Sequence, residues 1–168
     1  MSYILAIESA VYGGSATLLD GDTVVGEWVG TEPRGSSDQL LPNIQKIIEK
    51  AGIADQQLHA IAVSNGPGSY TGIRIGIATA LGLSTALGIP TAGISLLEAL
   101  ALVYGRPGQI ASAVPFGRDQ IAFQTFALLP GNKINGVAGP IALTFDDFSS
   151  SEGSKACGSM VVDRSLYE

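Results

Sequence analysis

The chain has 168 residues, of which 46% are hydrophobic, and this composition excludes an intrinsically disordered protein. Nine basic and fifteen acidic side chains give a net charge of -6, which excludes strong binding of nucleic acid or acidic membrane by this chain alone. One cysteine and one histidine exclude an internal disulfide and the common zinc sites, so we expect no metal ligands and a cytoplasmic protein.

The first part of the chain predicts three strands and a helix. The apolar run 3–9 is typical of a buried strand, and the strands 14–19 and 23–29 are joined by turn residues. The helix ends at Gly52, and its start is open, because Ser36 or Ser37 could cap it or Pro42 could be its first residue. One stripe of this helix is apolar and comprises Leu40, Leu41, Ile44, Ile47, Ile48 and Ala51.

Two further strands and two helices complete a first lobe, predicted to span residues 1–104. In chain order they are the strand 58–64, the helix 70–87 with Ser69 as its N-cap, the strand 91–94 and a helix from Ser95 to about 103.

One uncharged stretch, 75–97, has the length of a membrane span. Gly88, Pro90 and several hydroxyl side chains interrupt it, which favours a buried helix followed by a strand. The start of the chain has no basic residue before Glu8 and does not resemble a signal peptide. We therefore expect no membrane segment.

A second, shorter lobe is predicted over residues 105–168. Strands are expected at 110–114 and 121–128, with weaker strand signals at 137–143 and 156–162. The order β-β-β-α-β-α-β-α followed by a strand-led lobe is typical of the α/β, actin-like (ribonuclease H-like) fold.

A glycine-rich loop precedes the helix 70–87 and runs from Asn65 to Gly68. Such a loop can hold an anion on free backbone N–H groups, but neither the Walker nor the dinucleotide spacing is present. Because the loop could hold an anion, one hypothesis is a minimal ATPase or phosphotransferase with nucleotide between the lobes. Its nucleotide-binding residues would be Glu8, Ser9, Gly66 and Gly68.

The helix itself carries small residues at four-residue spacing, namely Gly72, Gly76, Ala80, Ser84 and Gly88. Interior glycines cost about 1 kcal/mol each relative to alanine, so close packing must offset them. The stripe is explained equally by packing within this chain and by docking on a partner subunit.

Several segments together resemble the TsaB (YeaZ) family. They are the start 4–9, Leu40-Leu41-Pro42, the glycine segment 66–76, the run 86–90 and the run 95–99. The resemblance implies an actin-like, non-catalytic scaffold of bacterial tRNA threonylcarbamoyladenosine synthesis. Its partners would be a TsaD-like subunit and a TsaE-like ATPase, which would hold ATP and metal, while tRNA is contacted only through the complex.

The same resemblance implies a helix-bundle interface formed by the helices at about 37–51 and 70–87, which can also support a homodimer. No residue would be catalytic, and this chain alone would bind no cofactor. The expected interface residues are Gly72, Arg74, Ile75, Gly76, Thr79, Ala80, Leu83 and Ser84.

The chain departs from the family pattern at several places. Glu8-Ser9-Ala10 stands where the family has Asp-Thr-Ser, Phe116-Gly117-Arg118 replaces an Asp-Ala-Arg stretch, and 34–37 lacks a common histidine. The chain also ends at Glu168, before the usual C-terminal helical segment, so we expect a reduced second lobe. We expect structural roles for His59 and Cys157.

Overall fold

The structure, a computed structural model, describes residues 2–11, 13–31, 36–104, 106–150 and 160–162. Cys157 and residues 34 and 35 lie outside this part. The strands are β1 (Tyr3–Glu8), β2 (Ser15–Asp20), β3 (Thr23–Val29), β4 (Leu58–Ser64), β5 (Thr91–Ile94), β6 (Gly108–Phe116), β7 (Gln120–Leu129), β8 (Lys133–Gly136), β9 (Ile141–Thr144) and β10 (Met160–Val162). The helices are α1 (Ser36–Ala51), α2 (Tyr70–Leu87), α3 (Leu96–Tyr104) and α4 (Phe145–Ser150), with a 3₁₀ turn at Asp55–Gln57.

The chain forms two compact units. Unit 1 comprises Met1–Asn65 and Tyr70–Ile94, and unit 2 comprises Gly66–Ser69 and Ser95–Glu168. The predicted domain boundary after residue 104 stays a prediction, because compactness alone does not define a domain that folds independently.

Unit 1 is built on a five-stranded sheet with the order β3-β2-β1-β4-β5. The first three strands form an antiparallel meander, whereas β4 runs parallel to β1 and β5 runs parallel to β4. The helical crossovers that parallel pairing requires are α1 and α2. This topology and the element order confirm the predicted actin-like (ribonuclease H-like) α/β fold.

A bulge adjusts the register between β1 and β4. Tyr3 is opposite Leu58 and Ile4 is opposite Ala60, so His59 is the extra residue on β4. The exposed His59 side chain accepts a hydrogen bond at Nδ1 from the Tyr3 backbone N–H, at 3.2 Å. In the structure, His59 therefore serves to bridge an irregular point of the sheet.

The core of unit 1 lies between the sheet and α1 with α2. Leu5 and Ile7 alternate with less buried residues along β1, as expected for a strand with one face on a core. From α1, the buried members of the predicted stripe are Leu40, Ile44, Ile47 and Ile48. Leu41, which we also expected on this stripe, is instead 44% exposed, because it is one residue past the inward-facing Leu40.

The start of α1 was left open by the sequence. The helix begins at Ser36, and Pro42 lies inside it rather than at its first position. Proline within a helix removes one backbone hydrogen bond, and the burial of Ile44 and Ile47 against the sheet offsets this loss.

Unit 2 contains a second sheet with the order β10-β6-β7-β8, in which β9 also pairs with β7. The strands β8 and β9 pair with successive halves of β7, at Phe126–Leu129 and Gln120–Phe123. The long hairpin β6–β7 confirms two predicted strands, and β9 and β10 overlap the weaker strand signals. The sequence did not predict β8 or the short α4, whose Phe148 packs edge-on against Phe123 at 5.6 Å between ring centroids.

Candidate functional site

The helix α2 carries most of the residues predicted to form an interface, and its ends are well defined. It begins at Tyr70 and ends before Gly88, which has φ 67°. Ser84 is involved in this ending, because its carbonyl accepts hydrogen bonds from Gly88 N–H at 2.8 Å and Ile89 N–H at 3.2 Å. The Ser84 hydroxyl also donates to the Ile89 carbonyl at 2.6 Å.

The small-residue stripe of α2 faces the chain's own sheet. Gly76 is buried, and a Cβ added there would overlap Ser9 Oγ and lie 3.6 Å from Val63 Cγ2. Ala80 is fully buried in the core of unit 1. Gly76 and Ala80 therefore allow close packing within this chain, and their part in an interface stays a prediction.

The other predicted interface residues also lie mostly on the inward side. Gly72, Thr79 and Ser84 are half-buried. Ile75 and Leu83 are half-buried as well and pack against the unit 1 core. Arg74 is the one member of the predicted set that is exposed.

The opposite side of α2, which we call the outer α2 face, is exposed and carries one charge. Its residues are Tyr70, Thr71, Arg74, Ala78, Leu81, Gly82, Thr85 and Ala86. Tyr70 is 73% exposed and Leu81 is 54% exposed. Apart from Arg74, sequence reasoning missed this face. The only sequence signal for this face was the charge of Arg74, which positions 78, 81 and 85 follow at helical spacing.

A shallow depression of about 310 Å³ lies on this side of the helix, lined by Thr71, Arg74, Ile75 and Ala78. The guanidinium carbon of Arg74 lies 5.3 Å from the centroid of the Tyr70 ring, within the range of a cation–π contact. The outer α2 face can therefore accept a small apolar group beside a positioned cation.

Two of the predicted nucleotide-binding residues, Glu8 at the end of β1 and Ser9 directly after it, have partners within the chain. Glu8 Oε1 accepts hydrogen bonds from the backbone N–H groups of Ala10 and, at 3.1 Å, Val11. The Ser9 hydroxyl donates to the Gly72 carbonyl at 2.8 Å. Glu8 thus occupies the backbone donors of its own loop, and Ser9 fixes the first turn of α2.

The other two predicted nucleotide-binding residues belong to unit 2. Gly66 and Gly68 are buried and have φ values of 98° and 151°, which favour glycine. The Gly66 carbonyl accepts a hydrogen bond from Leu96 N–H at 2.8 Å. The nucleotide site at Glu8, Ser9, Gly66 and Gly68 stays a prediction.

Within the described ranges, no three His, Cys, Asp or Glu side chains come together in a group that could hold a metal ion. No described helix is both long and apolar enough to cross a membrane.

Comparison with known proteins gives a consistent family. Residues 30–155, most of the chain, match the family described as "TsaD: tRNA N6-adenosine threonylcarbamoyltransferase". Over 98 residues the chain is 39% identical to the Bacillus subtilis "tRNA threonylcarbamoyladenosine biosynthesis protein TsaB" and 37% identical to the Escherichia coli protein of the same name.

These matches differ in how much of each protein they cover. Each curated match covers 58% of this chain but only 43% and 42% of the relative, so the chain spans less than half the length of these two proteins. Among solved structures, YeaZ from Pseudomonas aeruginosa superposes with a TM-score of 0.76 at 28% identity, covering 86% of this chain and 68% of that one.

Proposed function

Since this chain belongs to the TsaD family of tRNA N6-adenosine threonylcarbamoyltransferases and is of the TsaB (YeaZ) type, we propose that it is a non-catalytic partner subunit. In this role it pairs with a TsaD-like subunit that modifies the adenosine next to the anticodon of tRNA. The partner performs the transfer, and this chain supports or activates it.

The outer α2 face is the observation that carries this proposal. Large side chains such as Tyr70 and Leu81 are exposed there, on a helix whose other side is packed on its own sheet. Exposing them to water is unfavourable, and covering them with a partner removes apolar surface from solvent at about 25 cal/mol per Å². A helix that is packed on one side and exposes apolar residues on the other is typical of a docking element.

The absence of catalysis is supported by the loop after β1. The Glu8 carboxylate accepts hydrogen bonds from the N–H groups of Ala10 and Val11, donors that a phosphate at this loop would require. A phosphate there would also be repelled by that carboxylate. In this proposal ATP and metal belong to the partner subunits, a TsaD-like protein and a TsaE-like ATPase.

The remaining parts of the proposal follow from charge and family. A net charge of -6 disfavours phosphate contacts, so tRNA is reached through the assembled complex in the cytoplasm. Without the partner, the outer α2 face can support a homodimer.

Co-purification with the TsaD-like protein of the same genome tests the proposal. We expect the wild-type chain to pair, and Leu81→Glu to stay folded but lose pairing, because it places a charge in an apolar contact. Val103→Glu is the matched control, since Val103 is a large apolar side chain on α3 that is 81% exposed. It should pair like the wild type.

Titration of the isolated chain with ATP and Mg²⁺ tests the alternative. No heat of binding is expected. Micromolar binding, together with failure of the wild type to pair, would replace this proposal with the minimal actin-like ATPase or phosphotransferase.

A further inference from the structure

Arg74 is the only charged side chain among the 18 residues of α2, and it lies on the outer α2 face. Its guanidinium is 5.3 Å from the ring of Tyr70, one helical turn earlier. Stacking on an aromatic ring limits the side chain's freedom and leaves the N–H edges of the guanidinium available for hydrogen bonds in its plane.

Among the residues that the structure describes, no carboxylate pairs with Arg74. Its neighbours around the depression are Thr71, Ile75 and Ala78, which offer it no negative charge. Covering this face with an uncharged surface would bury an unpaired cation, which is strongly unfavourable. An anion opposite Arg74 would remove this cost for a partner that covers the outer α2 face.

We propose that the TsaD-like subunit places an Asp or Glu carboxylate of its contact segment against Arg74, with a small apolar side chain in the neighbouring depression. The inference rests on the proposed function and adds the chemistry of the partner's contact. A second copy that packs its α2 against this α2 is a poorer occupant, because α2 has no acidic residue and Arg74 would be left unpaired.

The test is the dissociation constant between this chain and the TsaD-like protein of the same genome, measured without tRNA. We expect Arg74→Ala to raise Kd by about 30-fold or more, the range for removing one partner of a desolvated charge pair. Arg74→Glu should bind more weakly still, because two carboxylates would then face each other. Arg74→Lys keeps the charge but not the planar fork, so it should lie between wild type and Arg74→Ala.

Arg106→Glu is the matched control, because Arg106 also stacks on a tyrosine, Tyr104, at 5.8 Å but belongs to unit 2. It should leave Kd unchanged. Salt provides a second readout: the wild-type Kd should rise with ionic strength, and the Kd of Arg74→Ala should rise less.

The possible failures are distinct. If the wild type does not pair, the proposed function and this inference both fail. If the wild type pairs while Arg74→Ala and Arg74→Glu bind as tightly, only the carboxylate contact is refuted. A loss seen only after tRNA is added would also refute it, because Arg74 would then be binding phosphate. Arg74 is exposed, so the variants should fold, and unchanged Trp28 fluorescence checks this.

Discussion

Gly76→Ala should destabilise the chain, although alanine is the better helix former. The added Cβ would overlap Ser9 Oγ, whose hydroxyl donates to the Gly72 carbonyl at 2.8 Å. If Ser9 rotates away, it loses a hydrogen bond of about 1 kcal/mol and leaves a part-buried hydroxyl in need of a partner. If Ser9 stays, overpacking costs about 1–3 kcal/mol.

Helix propensity opposes this loss and sets the net value. Alanine gains about 1 kcal/mol over glycine inside a helix, so we expect a net destabilisation of up to about 2 kcal/mol. Gly82→Ala is the matched control on the same helix, because a Cβ at Gly82 meets nothing within 4 Å. It should instead stabilise by up to about 1 kcal/mol.

Urea unfolding followed by the fluorescence of Trp28 measures both variants. Trp28 is the only tryptophan of the chain and packs against the core of unit 1. If Gly76→Ala stabilises as much as Gly82→Ala does, the close contact with Ser9 is refuted.

A double-mutant cycle locates the effect at the hydroxyl. With Ser9→Ala in place, the Cβ at position 76 would meet the Cβ of residue 9 at 3.5 Å and Val63 Cγ2 at 3.6 Å, which are ordinary contacts. We expect the double variant to be more stable, by about 1–2 kcal/mol, than the sum of the two single effects on the free energy of unfolding. Additive free energies would contradict the explanation.

Three further predictions concern single positions. Gly30→Ala should destabilise the folded chain by about 3 kcal/mol, because the new Cβ would collide with the backbone carbonyl of Gly13. The measurement is Tm, which should fall, and an unchanged Tm would contradict the collision. Glu8→Gln should lower the free energy of unfolding in urea by about 1 kcal/mol and speed amide exchange at Ala10 and Val11, since a neutral acceptor binds these N–H groups less strongly. Unchanged exchange would contradict the two hydrogen bonds to Glu8. Ser112→Ala should leave the stability of the chain unchanged or raise it by about 1 kcal/mol, because the buried Ser112 hydroxyl has no hydrogen-bond partner among the described residues. Unfolding followed by circular dichroism measures this, and a clear destabilisation would indicate that the hydroxyl has a partner.

The strands of unit 1 could be predicted from the sequence because their apolar runs are bounded by strong turn residues. The turn at Gly21 and the loop beginning at Asn65 are marked by glycine, and β1, β2 and β4 each carry buried apolar residues. In contrast, β8 (Lys133–Gly136) is a four-residue strand with no buried residue, so it has no hydrophobic pattern to detect. Its existence depends on pairing with β7, which is a tertiary contact.

The orientation of α2 could not be predicted, because the helix is apolar or small on nearly every side. Periodicity identifies a face only when polar residues mark the opposite one, and Arg74 alone gave that signal. The glycine stripe was consistent with both self-packing and docking. Self-packing at Gly76 is seen only from the position of Ser9 and Val63 beneath it, and that position depends on how β1 and β4 pair.

The assignment of Gly66–Ser69 to unit 2 has a consequence for the construction of chimeras between related proteins. The backbone passes from one unit to the other after Asn65, after Ser69 and after Ile94. A fragment that stops at Ile94 would keep Gly66 but lose Leu96, whose N–H binds its carbonyl. A chimera that takes unit 2 from a relative must therefore also receive this internal tetrapeptide, and a simple swap of C-terminal halves would combine mismatched pieces.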